Sequence, residues 1–238
     1  MVLITGAARR VGAEIARVLH AAGANILIHY RASAAAAIAL AASLNAMRSH
    51  SAAIYAAHLL DPDAPDQVIA AALSEFGHLD VLINNASSFY ATPIGHITAR
   101  QWDDLVGSNL RAPLFLCQAA APSLKARRGL IINMVDIHGL RPLKEHPVYC
   151  AAKAGLVMLT KSLARELGPE IRVNGIAPGP VLWPEVGMDE KVKREIIDKT
   201  ALKRPGSPQD IARTALFLAA NAPYITGQII AVDGGRSI

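Results

Sequence analysis

Short apolar runs alternate along this chain with longer stretches whose apolar residues recur at helical spacing. The runs are VLIT at 2–5, ANILIHY at 24–30, AAIYAA at 52–57, DVLINNA at 80–86, GLIINMV at 129–135, IRVNGIA at 171–177 and QIIAVDG at 228–234. Helical patterns lie between them at 11–22, 34–48, 64–76, 98–125, 148–167 and 207–220. Nearly continuous apolar runs predict strands buried on both faces, and connections this long are crossovers rather than hairpins. The alternation predicts an α/β fold: a single doubly wound domain over 1–238 with a seven-stranded parallel sheet. The alanine-rich ASAAAAIALAASLNA at 32–46 fits this scheme as a strong helix former on the sheet's outer face. The rhythm breaks at 178–208, where prolines and the charged piece MDEKVKREIIDK predict a substrate lid around 182–205.

Composition narrows the class. The 238 residues are 52% hydrophobic and 18% charged, a balance that builds a packed core and excludes disorder. No apolar run reaches about 18 residues, so no membrane span is expected. Residue 1 leads directly into MVLITG, without the segments of a secretory leader, and a cytoplasmic location is expected. Cys117 and Cys150 then read as free thiols. The net charge of +5 would suit nucleic acid or a small anion. Because the basic residues are scattered, the small anion is preferred and no nucleic-acid partner is expected. His138 and His146 lack metal-ligand spacing, so no metal site is expected.

TGAARRVG at 5–12 stands between the first strand and the first helix, where a nucleotide-binding glycine loop belongs. Gly6 allows the tight turn, and Gly12 allows the helix to pack closely while neighbouring N–H groups face a pyrophosphate, the Rossmann-like arrangement. The second strand ends in HYRAS, where enzymes that select NAD place an acid for the ribose hydroxyls. Tyr30, Arg31 and Ser33 offer no carboxylate there, and a 2′-phosphate fits, so NADPH is the expected cofactor. Arg9 and Arg10 add cations at a helix N-terminus whose dipole disfavours them, which points to an anionic partner. Asn85 and Ala86, after the fourth strand, can hold backbone near the cofactor ribose.

Tyr149 and Lys153 stand one helical turn apart in VYCAAKAG. A fixed ammonium beside a phenol is expected to lower its pKa and make it a usable proton donor.

With TGAARRVG, NNA, Asn109 in SNLRAPLFL, YCAAK, IRVNGIAPGPV and TGQIIAVDGG in order, the chain resembles the short-chain dehydrogenase/reductase family over nearly its whole length. The resemblance implies that Tyr149 donates the proton, that Lys153 holds the nicotinamide ribose and tunes Tyr149, and that Asn109 helps hold a water relay. It also implies that Pro178 and Gly179 border the cofactor and that the protein is a homotetramer. HLLD at 58–61 departs from the family, which often has a DL pair at the adenine.

A second departure bears on the substrate. The family's serine, about thirteen residues before the tyrosine, is replaced by Asp136 in NMVDIHG. An ionised carboxylate repels the oxyanion of a reduced ketone, whereas a ring C=N gains a proton that Asp136 and Tyr149 can relay. Together with Arg10 in TGxxxRxG and with NNASSFY at 84–90, this resembles the pteridine reductase and dihydromonapterin reductase branch. That likeness implies that Arg10 reaches cofactor and pterin, that Ser87 touches both, and that Phe89 stacks on the pterin ring. Trp183 and the segment 184–199 would form the substrate side. Rival readings are a reductase of dihydrofolate, a quinone or another carbonyl compound, and a cofactor-binding regulator without turnover.

Overall fold

The computed structural model describes residues 1–183 and 188–238. Seven strands, β1 (Val2–Ile4), β2 (Ile26–Tyr30), β3 (Ala52–Ala56), β4 (Val81–Asn84), β5 (Leu130–Met134), β6 (Arg172–Pro178) and β7 (Ile229–Val232), form one sheet. Their spatial order is β3-β2-β1-β4-β5-β6-β7 and every pairing is parallel. The direction of winding reverses between β1 and β4, so a crevice opens there at the carboxyl ends of the strands.

Side-chain alternation along the strands makes two cores. Val2, Ile4, Ile26, Ile28, Ile83 and Ile132 face α1 (Arg10–Ala21), α2 (Ala34–Met47) and α8 (Pro208–Ala220). Leu3, Leu27, Leu82, Ile131 and Val173 face the other way, onto α3 (Ala64–Phe76), α5 (Ala112–Arg127) and the end of α6 (Pro147–Glu166). Leu3 and Ile4 are both fully buried, each contributing about 2 kcal/mol of apolar burial, which explains strands without a polar face.

The helix expected over 98–125 is divided. α4 (Ala99–Val106) starts at a Thr98–Gln101 capping box, then a π-turn covers Gly107–Arg111 before α5 begins. Within that turn the Ala112 N–H reaches the Gly107 carbonyl, five residues back. Pro113 has no N–H for the carbonyl four residues back, that of Asn109, and the ladder widens here. Of the expected lid, α7 (Glu190–Asp198) is a surface helix with no buried residue, and 184–187 lie outside the described residues. No helix among the described residues is long and apolar enough to cross a membrane.

Candidate active site

The glycine loop is fastened to the segment after β4 by the side chains of Thr5 and Asn85. The Thr5 hydroxyl oxygen accepts from the Asn85 and Ala86 N–H groups at 2.9 and 3.0 Å, and the Asn85 amide donates to the Thr5 and Gly6 carbonyls. Gly6 turns with φ +61°, and a Cβ on it would stand 3.0 Å from the Ala86 Cα. A Cβ on Gly12 would lie 2.7 Å from the Gly6 carbonyl oxygen and 2.6 Å from the Asn85 amide nitrogen, so the first turn of α1 presses directly on the loop. This is the close helix–loop approach that a dinucleotide cradle needs, and the residues present fit such a group.

The sequence places Arg9 and Arg10 on the first helical turn. Arg9 instead is extended at the N-cap, and Arg10 opens α1 in the left-handed region at φ 55°. An arginine thus takes up a backbone shape that favours glycine. Its guanidinium donates to the Trp183 carbonyl at 3.3 Å, joining the loop to the segment after β6. At the end of β2, Tyr30 is partly buried, Arg31 is exposed and Ser33 precedes α2. Pro178 ends β6, and Gly179 abuts Asp233, where a Cβ would meet the Asp233 Cα at 2.6 Å. Ser87 is exposed in the irregular segment between Ala86 and Phe89.

Sequence reasoning passes over His29, which reads as an ordinary strand residue. Its Nδ1 accepts from the Gly6 N–H at 3.2 Å, while Nε2–H donates to the Ala57 carbonyl at 3.1 Å. Burial pushes the pKa of this imidazole down to about 4. A neutral ring satisfies both partners.

At the chemical end the Tyr149 hydroxyl donates to Asp136 Oδ2 at 2.8 Å, and Asp136 Oδ1 accepts the His138 N–H at 2.8 Å. The carboxylate caps the short 3-10 turn Ile137–Gly139 and holds the phenol at once. Lys153, only 3% exposed, donates to the Met134 carbonyl at 2.8 Å, with its Nζ 5.7 Å from the centre of the Tyr149 ring. The expected lowering of the Tyr149 pKa is not found. Burial first, then the charge of Asp136 and its hydrogen bond, raise it well above the usual phenol range. Burial also brings Lys153 down to about 8, against the opposing pull of Asp136.

Phe89, 51% exposed, stacks on His146 with centroids 4.8 Å apart and planes at 11°, and meets Tyr149 edge-on at 4.8 Å. His146 therefore joins the site as an aromatic wall, a role that sequence reasoning missed. Asn109 is fully buried in the π-turn and its amide nitrogen donates to the Ser88 and Leu105 carbonyls at 2.9 Å. Its buried Oδ1 has no hydrogen-bond partner among the described residues, which suits it to accept from an ordered water. Two cavities, of about 440 and 540 Å³, lie elsewhere, at Trp102–Arg111 and beside Arg204 and Asp233. Neither is lined by the loop or by Tyr149. Among the described residues no cluster of three or more His, Cys, Asp or Glu could hold a metal.

Comparison with known proteins agrees with this arrangement. A family model described as enoyl-(acyl carrier protein) reductase matches residues 6–237. Pteridine reductase 1 of Leishmania tarentolae is 38% identical, with 99% of this chain and 96% of the relative covered. The 3-oxoacyl-[acyl-carrier-protein] reductases FabG of Staphylococcus aureus (strain N315) and Chlamydia muridarum are 37% and 35% identical, covering 98% and 99% of this chain and 96% of each relative. With a seven-stranded parallel sheet, a glycine loop at its switch point and a Tyr–Lys pair on α6, the chain belongs to the short-chain dehydrogenase/reductase family of oxidoreductases.

Proposed function

We propose that this oxidoreductase is an NADPH-dependent pteridine reductase, acting on a C=N bond of a dihydropterin or an oxidised pterin. The observation that carries the reading is the 2.8 Å hydrogen bond from the Tyr149 hydroxyl to Asp136. A carboxylate there offers no hydroxyl to the oxygen of a ketone, but it can receive and return the proton that a ring nitrogen takes up. When bound, NADPH supplies the hydride. Gly6, Arg9, Arg10, Gly12, Asn85, Ala86, Pro178 and Gly179 hold its phosphates and sugars, Tyr30, Arg31 and Ser33 meet the 2′-phosphate, and Lys153 binds the nicotinamide ribose. Tyr149 keeps its proton until the ring nitrogen accepts it, and Asp136 orients the hydroxyl. Arg10, Ser87, Phe89 and Trp183 border the flat ring, with Phe89 stacking on it. Asn109 holds a water that returns a proton to Tyr149. Trp102, Phe115 and Met158, left exposed on α4, α5 and α6, support a homotetramer.

The similarity to the FabG proteins favours a second reading, reduction of a 3-oxoacyl ketone. Following NADPH oxidation with dihydropterins, dihydrofolate, quinones and 3-oxoacyl thioesters separates the readings. Preference for a dihydropterin supports the proposal, and preference for a ketone refutes it. A regulator without turnover would consume NADPH with none of them.

A further inference from the structure

The turn that opens the glycine loop has two N–H groups pointing away from the crevice, at Gly6 and Ala7. Both end on one residue. The Gly6 N–H meets the His29 ring at Nδ1, 3.2 Å away, and the Ala7 N–H meets the His29 carbonyl at 2.9 Å. The opposite ring edge donates to the Ala57 carbonyl after β3 at 3.1 Å, and the Ala57 N–H returns to the Tyr30 carbonyl at 3.0 Å. His29 is 2% exposed, so the ring itself is shielded from water while it holds these partners.

These bonds leave the ring a single arrangement. Gly6 can only donate, which requires a lone pair on Nδ1, and Ala57 can only accept, which requires the proton on Nε2. We infer that His29 is a positioning residue for the dinucleotide, its Nδ1 lone pair fixing the Gly6 turn and its Nε2–H anchoring the ring to the segment after β3. Apolar side chains of similar volume would fill the space and take away the ring acceptor of the Gly6 N–H. The loop would then recover a partner by turning that N–H, at the expense of the shape that Gly12 and Asn85 pack against. Burial, which holds the imidazole pKa at about 4, keeps the lone pair available at neutral pH.

The inference rests on the cofactor end and needs no pterin, so its test uses no substrate. Two amide variants divide the ring's functions. His29→Asn places an oxygen where Nδ1 stands but cannot reach Ala57, whereas His29→Gln reaches Ala57 and leaves Gly6 without an acceptor. Binding of NADPH, and of NADH in parallel, is titrated by the fluorescence of the reduced nicotinamide, with thermal melts verifying that each variant is folded. His29→Gln is expected to raise the dinucleotide Kd about tenfold, the scale of one lost hydrogen bond, and His29→Asn to stay within about threefold of the native protein. In turnover with whichever substrate the screen identifies, the Gln variant's loss appears in KM for the dinucleotide rather than in kcat. Equal affinities for the folded Gln and Asn variants, or a fall in kcat with Kd unchanged, would overturn the inference. So would failure of the native chain to bind either dinucleotide.

Discussion

The Tyr149 hydroxyl donates its hydrogen bond to Asp136, not to the backbone and not toward Lys153, and the second oxygen of the same carboxylate is tied to the His138 N–H. An acid fixed at both oxygens can hold a phenol in one orientation and keep it protonated. This differs from a serine at the same place, whose hydroxyl could donate to a substrate oxygen.

Exchanging that acid for the family's ordinary residue tests its role. Asp136→Ser is expected to lower kcat/KM for a dihydropterin by about 100-fold or more, the scale of one lost acid–base group, while ketone reduction rises from background. Tyr149→Phe should lose both activities. The measurement is NADPH oxidation with each substrate, and undiminished dihydropterin turnover in the serine variant would remove Asp136 from the mechanism.

Lys153 predicts the basic limb of the pH profile. Its pKa is held at about 8 because burial disfavours the charge, and Asp136 partly opposes this. Activity that needs the cation should therefore decline as pH rises through about 8 in kcat/KM, which reports the free enzyme. Removing the negative charge with Asp136→Asn takes away the opposing pull, and the limb should move to lower pH. A limb unmoved by this variant would separate Lys153 from Asp136.

What the chain's pattern made legible, and what it did not, follows from how far each feature depends on neighbours in space. The seven strands were readable because most are nearly continuous apolar runs with no polar face; Leu3 and Ile4 are both buried, on opposite sides of one strand. The loop, Tyr149, Lys153 and Asp136 were readable because fixed spacings carry them to the carboxyl end of the sheet. The π-turn was not, since Gly107–Arg111 keeps a helical periodicity and only the missing Pro113 N–H hints at it. The sign of the Tyr149 shift also escaped. Spacing put Lys153 on the same helical face, but the Met134 carbonyl takes its ammonium while Asp136 takes the phenol. His29 and His146 act through contacts between distant segments, which no local pattern reveals.

His29 should also leave a mark on stability against pH. Its folded pKa of about 4 lies below the unfolded value of 6.5, so between these limits only the unfolded chain takes up the proton. Stability is complete above about pH 6.5 and falls as pH drops toward 4, by about 3 kcal/mol for this residue in total. Urea unfolding at pH 7 and pH 5 gives the test. The native protein should lose about 2 kcal/mol more over that interval than His29→Asn, which has no proton to gain. Equal losses would mean that the imidazole is not held neutral in the fold.

Arg10 combines a cost in the backbone with a gain at the site, and the two can be separated. At φ 55° a residue with a Cβ is strained by about 1 kcal/mol relative to glycine, and the Trp183 carbonyl it reaches is an exposed partner at 3.3 Å. Arg10→Gly relieves this strain, whereas any replacement that carries a Cβ keeps it. Arg10→Ala keeps the strain without the guanidinium and should be the less stable of the two. Both variants lack the cation expected at the phosphates and should bind NADPH about tenfold more weakly, the scale of one charge-assisted hydrogen bond. Thermal melts and fluorescence titration of the pair give the answer: a glycine variant that is destabilised yet binds NADPH as tightly as the native chain would show that Arg10 serves the fold and not the cofactor.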